Sequence, residues 1–330
     1  MANIQTLSQD EVIQARDMMK LVENEIAKAV IGQRHLKAAL TCALVADGHV
    51  LVESVPGLAK TTAAKALSMA CEGTFSRIQC TPDLMPADIT GTQIYNSGTG
   101  SFETIKGPVF ANFVLLDEIN RSSAKTQSAM LEAMEERQVT IANETYRLPS
   151  DIFTVIATQN PLEQEGTYPL SEAQTDRFMI MVRITYPSLE EEISIMSLKE
   201  QASSQFGGAV ISKQEVGWLR MKAQEVYCDR AILKYIATIA HATRHVEEYL
   251  DEETARYVRF GVSPRASIAF MKMAKATALR KSRGYVVPED IKDIARMILR
   301  HRIGLSYSAR ANGVQVDQII DQLMSKVPTP

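Results

Sequence analysis

The sequence predicts an α/β fold: a five-stranded parallel sheet flanked by helices over residues 1–186, then a small all-helical domain over residues 187–330. Three observations carry this. Five short apolar, β-branched runs recur in the first half, helical spacing lies between them, and the strand signal fades after residues 185–188. The runs are 48–55 (GHVLVESV), 75–80 (FSRIQC), 112–118 (NFVLLDE), 151–158 (DIFTVIAT) and 177–184 (RFMIMVRI). Their near-continuous apolarity marks strands buried on both faces, as in a parallel sheet covered by helices. Helical spacing runs through 60–72 (Ala64, Leu67, Ala70) and 122–136 (Ala129, Met130, Ala133). Two segments break the rhythm. Residues 92–107, with Asn96, Gly98 and Gly100, and residues 138–148, alternating around Ala142 and Asn143, both read as hairpins. Each reads equally as decoration or as a partner-facing projection. Tyr95 and Phe102 are expected to pack the first hairpin onto the domain rather than grip a peptide. Beyond residue 188, the segments 189–202, 212–226, 229–248, 263–283 and 288–303 read as helices, with Ser263-Pro264 and Val287-Pro288 as start signals.

Composition excludes several classes. With 330 residues, 45% apolar and 23% charged, the chain has material for a sizeable core and is neither disordered nor collagen-like. No run approaches a membrane span, and the first residues lack a secretory pattern, so a cytoplasmic setting without membrane insertion is expected. Cys42, Cys71, Cys80 and Cys228 form no CxxC pair and are expected to be reduced. The net charge of −3 argues against a dedicated nucleic-acid binder. It hides an asymmetry: 15 basic and 22 acidic residues up to Tyr186, against 21 and 17 from Pro187 onward. Such a pairing suits packing between neighbouring copies. His241 and His245 stand four apart, but no HExxH pattern or third ligand points to zinc.

Three segments carry chemistry. Residues 53–62 (ESVPGLAKTT) join the first strand to a helix, the context of a phosphate-binding loop. Backbone N–H groups and the helix dipole suit a polyphosphate there; Pro56 has no N–H, so the donors must come from Gly57, Leu58, Ala59, Lys60 and Thr61, with Thr62 following. Lys60 would reach the β- and γ-phosphates and the Thr61 hydroxyl would ligate Mg²⁺. A strict GxxxxGK[ST] has glycine where this chain has Ser54 and Ala59. The buried run Phe113–Leu116 ends in Asp117 and Glu118, 56 residues beyond Thr61 for the first carboxylate. Asp117 can hold Mg²⁺ through water, while Glu118 can orient and deprotonate the attacking water. A third strand ends at Ala157-Thr158-Gln159-Asn160-Pro161, placing Asn160 beside both, either to position that water or simply to form a turn.

With these segments in hand, the chain resembles the MoxR family of AAA+ ATPases. VIGQ (30–33), the phosphate loop, LLDEINR (115–121), ATQNP (157–161), EAQTDRF (172–178) and GVSPRA (261–266) occur in that family's order across nearly the whole chain. Ala59 is usual for the family; Ser54 departs from its glycine. The resemblance implies a P-loop AAA+ core with a helical lid, and ATP or ADP with Mg²⁺ bound between them. It implies that Val30, Ile31 and Gln33 frame the adenine and that Asn160 is sensor 1. It also implies that Arg177 is an arginine finger reaching the neighbouring subunit's ATP, and that Arg265 is the lid's sensor 2. Arg177 reads alternatively as an ion pair with Asp176, Arg265 as a helix-start residue, and Arg121 as a second interface residue or a solvated one. The resemblance further implies a hexameric ring or dynamic oligomer with a chaperone-like role, acting with a von Willebrand factor A domain protein on client complexes. The hairpins resemble the insertions of the helix-2-insert branch, which would face the ring pore or a client. Two other readings compete: a nucleic-acid motor, kept alive by the basic second half, and a scaffold that binds nucleotide without hydrolysing it, suggested by Ser54.

Overall fold

The computed structural model describes residues 7–55, 57–161, 166–200 and 207–330. The five expected strands form one parallel sheet, ordered Phe75–Gln79, Phe113–Asp117, Thr154–Gln159, Val50–Glu53, Ile180–Arg183. All five therefore run the same way, and their C-terminal ends share one edge. The strand order turns back at Val50–Glu53, so the segment after Glu53 opens where ligands settle in parallel sheets.

Alternation along the strands sorts the core into two layers. Val50, Val52, Phe113 and Leu115 face one side with the helices Gln9–Ala29, Arg34–Val45 and Lys60–Ala70. Leu51, Val114 and Leu116 face the other, with Met130 and Met134 of the helix Ala124–Glu136. The first layer does not stop at residue 186. Phe270 and Met273 of the helix Pro264–Arg280, Ile294 of Pro288–Leu299 and Ile320 of Val316–Lys326 belong to the same contiguous core.

The helical half begins with Leu189–Glu200, Lys213–Glu225 and Arg230–Arg244, near the expected segments. The last stretch of the expected 189–202 helix lies outside the described residues. A final helix, Val316–Lys326, follows those that spacing predicts. This half is not wholly helical: Val258–Phe260 pairs antiparallel with Gly304–Leu305. A strand of two or three residues is too short to show a period-2 pattern.

Both hairpins form, Gly91–Asn96 with Ser101–Lys106 and Gln138–Ile141 with Glu144–Arg147. Tyr146 Oη donates to Thr104 Oγ1 at 3.1 Å and Lys106 lies over the Phe110 and Tyr146 rings, tying one hairpin to the other. The expectation for Tyr95 and Phe102 fails. Their rings meet edge to face across the strands and stay 60% and 68% exposed, so they pack on each other and not onto the domain. The first hairpin stands clear of the sheet at that point.

Candidate active site

The helix Lys60–Ala70 begins directly after the first strand and its loop. Its N-cap, Ala59, has no side-chain oxygen to cap the first turn, the kind of helix start that suits an anion. The backbone turns into the helix through left-handed conformations at Gly57 (φ +84°) and Ala59 (φ +55°). Glycine adopts the first at little cost, whereas the alanine Cβ is strained in the second. Lys60 Nζ donates to the Ser54 carbonyl at 3.3 Å, back across the loop. Ser54 itself is buried, with its N–H on the Gln159 carbonyl and its hydroxyl on that of Val55. Of the expected loop residues, Pro56 lies outside the described residues.

The two carboxylates stand on the same sheet edge. Asp117 is buried, its Oδ1 accepting from Thr158 Oγ1 at 2.9 Å and its Oδ2 from Arg77 Nε and Nη2 at 3.1 and 2.6 Å. Thr158, fully buried on the adjacent strand, also accepts the Glu118 N–H at 2.8 Å. One hydroxyl thus fixes both acidic residues. Glu118 is held in the left-handed region at φ +58°, a cost that folds often carry at functional positions. Its Oε2 accepts from Gln79 at 3.3 Å and Arg121 at 3.2 Å, leaving Oε1 for a water. Asn160 follows the neighbouring strand and is buried beside them. Arg77, Gln79 and Thr158 were not singled out by sequence, although an arginine inside the apolar run FSRIQC and a threonine at the end of a buried one are detectable signals.

Gln33 also reaches this side of the molecule, in the turn after Val30, which is buried in the core, and Ile31. Gln33 donates to the Thr185 carbonyl at 2.9 Å. A Cβ on Gly32 would meet the Glu191 carboxylate, so the 185–191 junction lies against this turn.

The two remaining arginines lie elsewhere. Arg177 precedes the Ile180–Arg183 strand, at the sheet's N-terminal edge, and its Nε donates to Glu135 Oε2 at 2.7 Å. Arg265, in the first turn of the helix Pro264–Arg280, donates to Oε1 of the same carboxylate. Glu135 sits twelve residues along from Ser123 at the start of its helix, hence about 18 Å from the Glu118 end. The alternative Arg177–Asp176 pair does not form: Asp176 receives Ser263 Oγ and Arg302 Nε, each at 2.7 Å. The placing of nucleotide between a chain's own core and lid, with Arg265 as the lid's sensor 2, is corrected: the lid packs on the helices beside the sheet and delivers this arginine to the opposite edge.

Buried histidines back this second region. His49 Nδ1 accepts the Val155 N–H at 3.0 Å, so its proton is on Nε2, facing the Met134 carbonyl. Burial, with Arg137 nearby, pulls its pKa down to about 4. His301 donates from Nε2 to the Phe178 carbonyl, and burial holds its pKa well below the usual histidine range. His241 and His245 stack on one another, and among the described residues no group of three or more His, Cys, Asp or Glu side chains is placed to hold a metal ion.

Residues 49–180 match the model of the ATPase family associated with various cellular activities, and residues 250–323 match the AAA lid domain. Over 306 residues the chain is 42% identical to Chaperone MoxR1 of Mycobacterium tuberculosis, covering 93% of this chain and 81% of that one. The chain belongs to the MoxR family of AAA+ ATPases. Protein YeaC of Bacillus subtilis is 46% identical, with 94% of each chain covered. A Cytophaga hutchinsonii crystal structure has a TM-score of 0.90 at 45% identity, with 97% of each chain covered. The MoxR assignment accounts for a parallel core joined to a helical lid. Among the described residues, no helix is long and apolar enough to cross a membrane.

Proposed function

We propose that this MoxR-family chain hydrolyses ATP with Mg²⁺, within a ring of its own copies, and uses the cycle to mature or activate client protein complexes. One observation carries the reading: an uncapped helix start with Lys60 shares a sheet edge with Asp117 and Glu118, both fixed by Thr158. The residues suit both groups. First-turn N–H groups and Lys60 are complementary to phosphate oxygens, and Val30, Ile31 and Gln33 frame the adenine. Thr61 and Asp117 supply hard oxygen ligands, which together with phosphates and water are what Mg²⁺ takes. The cation supplies charge neutralisation at the phosphates. Glu118 orients the attacking water and takes its proton, with Asn160 positioning the same water or the γ-phosphoryl group.

Arg177 and Arg265 complete the reaction from outside. Both lie at the edge opposite their own loop, so each acts on the nucleotide of the adjacent subunit, where planar guanidiniums stabilise developing phosphoryl charge. The family resemblance supports a hexameric ring, and the curated relative named Chaperone MoxR1 supports a chaperone-like role. Within this reading, a von Willebrand factor A domain protein is the partner that conveys the cycle to the client.

Glu118→Gln decides the matter. Phosphate release should fall by at least about a hundredfold, the usual size of a lost general base, while nucleotide binding persists. Lys60→Ala should abolish binding itself. A wild-type chain that binds nucleotide but never releases phosphate would remove the hydrolytic claim and leave the scaffold reading.

A further inference from the structure

Glu135 is the meeting point of three separate elements. It lies in the last turn of the core helix Ala124–Glu136, Arg177 follows the short helix Glu172–Thr175, and Arg265 opens the lid helix. One carboxylate oxygen takes Arg177 Nε, and the other takes Arg265. Each stem is fixed independently: Arg177 Nη1 donates to the Ala173 carbonyl at 2.9 Å, and the Arg265 backbone N–H donates to Ser263 Oγ, which itself bonds Asp176. All three side chains remain a third to a half exposed.

The charges explain why a carboxylate is needed there. Two guanidiniums this close repel each other, and one belongs to the core while the other belongs to the lid. The other acids around this cleft are engaged: Asp176 by Arg302, and Asp47 by Arg137 and Arg220. Glu135 therefore cancels the repulsion yet leaves the cluster positive. The bonds described take two of the five N–H donors on Arg177 and one on Arg265, so both guanidiniums keep donors for a phosphate.

We propose that Glu135 is a positioning residue for hydrolysis, holding Arg177 of the core and Arg265 of the lid as one pair that meets the nucleotide of the next subunit. This rests on the reading that the arginines act between subunits, and the test separates the two. Glu135→Gln should fold with an unchanged unfolding temperature, keep its KM for ATP within about twofold and lose about tenfold in kcat, because its own loop is at the other edge. Mixing it with Lys60→Ala chains, which hold no ATP but offer an intact arginine pair, should restore turnover above that of either alone. Arg177→Ala mixed with Lys60→Ala is the control. If that control is not rescued, action between subunits fails and this proposal falls with it. If the control is rescued while Glu135→Gln is not, or if Glu135→Gln alone turns over at the wild-type rate or faster, the role of Glu135 is overturned and the intersubunit reading stands.

Discussion

Ala59 shows how far a single position can be read. The strict loop pattern has glycine there, and the structure explains why: the backbone is left-handed at φ +55°. A left-handed alanine costs about 1–2 kcal/mol, and glycine gives back about 0.5–1 kcal/mol through greater unfolded-state freedom. Ala59→Gly should therefore raise stability by roughly 0.5–1 kcal/mol, read from the urea midpoint. An unchanged or lower midpoint would mean that the Cβ packs more favourably than its torsion costs. Asp117 and Glu118 were legible because a buried strand ending in two acids is conspicuous. The partner of Arg177 was not legible: Glu135 is 42 residues away in the chain, and local sequence offered only the adjacent Asp176. Likewise, only the register of neighbouring strands brings Thr158 against Asp117.

Elements are legible in the sequence where their burial is uniform. Phe113–Asp117 is covered on both faces, which leaves an uninterrupted apolar run, whereas Gly304–Leu305 offers two residues and no period. Its glycines mark the first hairpin but not the packing at its tip, because an aromatic pair looks the same in sequence whether it packs inward or on itself. Gly91 closes the base of that hairpin at φ +105°, and a Cβ there would meet the Ile105 carbonyl oxygen at 2.3 Å. Gly91→Ala should cost about 2 kcal/mol locally. Hydrogen exchange and proteolysis should accelerate across 91–107 while the five-stranded sheet stays protected; uniform loss of protection would show that the hairpin base supports the whole core.

At the scale of the whole molecule, core and lid are one packed body, pinned by Arg302, which is buried and donates to Asp176 and to the Phe178, Met179 and Ile298 carbonyls. Two buried neutral histidines make this body sensitive to acid. With a folded pKa near 4 against about 6.5 unfolded, His49 leaves stability intact above about pH 6.5 and erodes it as the pH falls towards 4, because the unfolded chain takes up the proton first. The loss is about 3 kcal/mol at most, and His301 adds to it with the same sign. Urea midpoints should drop between pH 7 and 5, and His49→Leu should be weaker at pH 7 but flatter with pH; a level wild-type profile would contradict this. The opposite placement of loop and arginine pair also has a counting consequence. Copies that serve one another this way join head to tail, with a donor end and an acceptor end that differ. In any open row, the last nucleotide waits for arginines and the first arginines have no nucleotide to serve. Only closure gives every site its partner, so activity per chain should climb with assembly and level off once no ends remain.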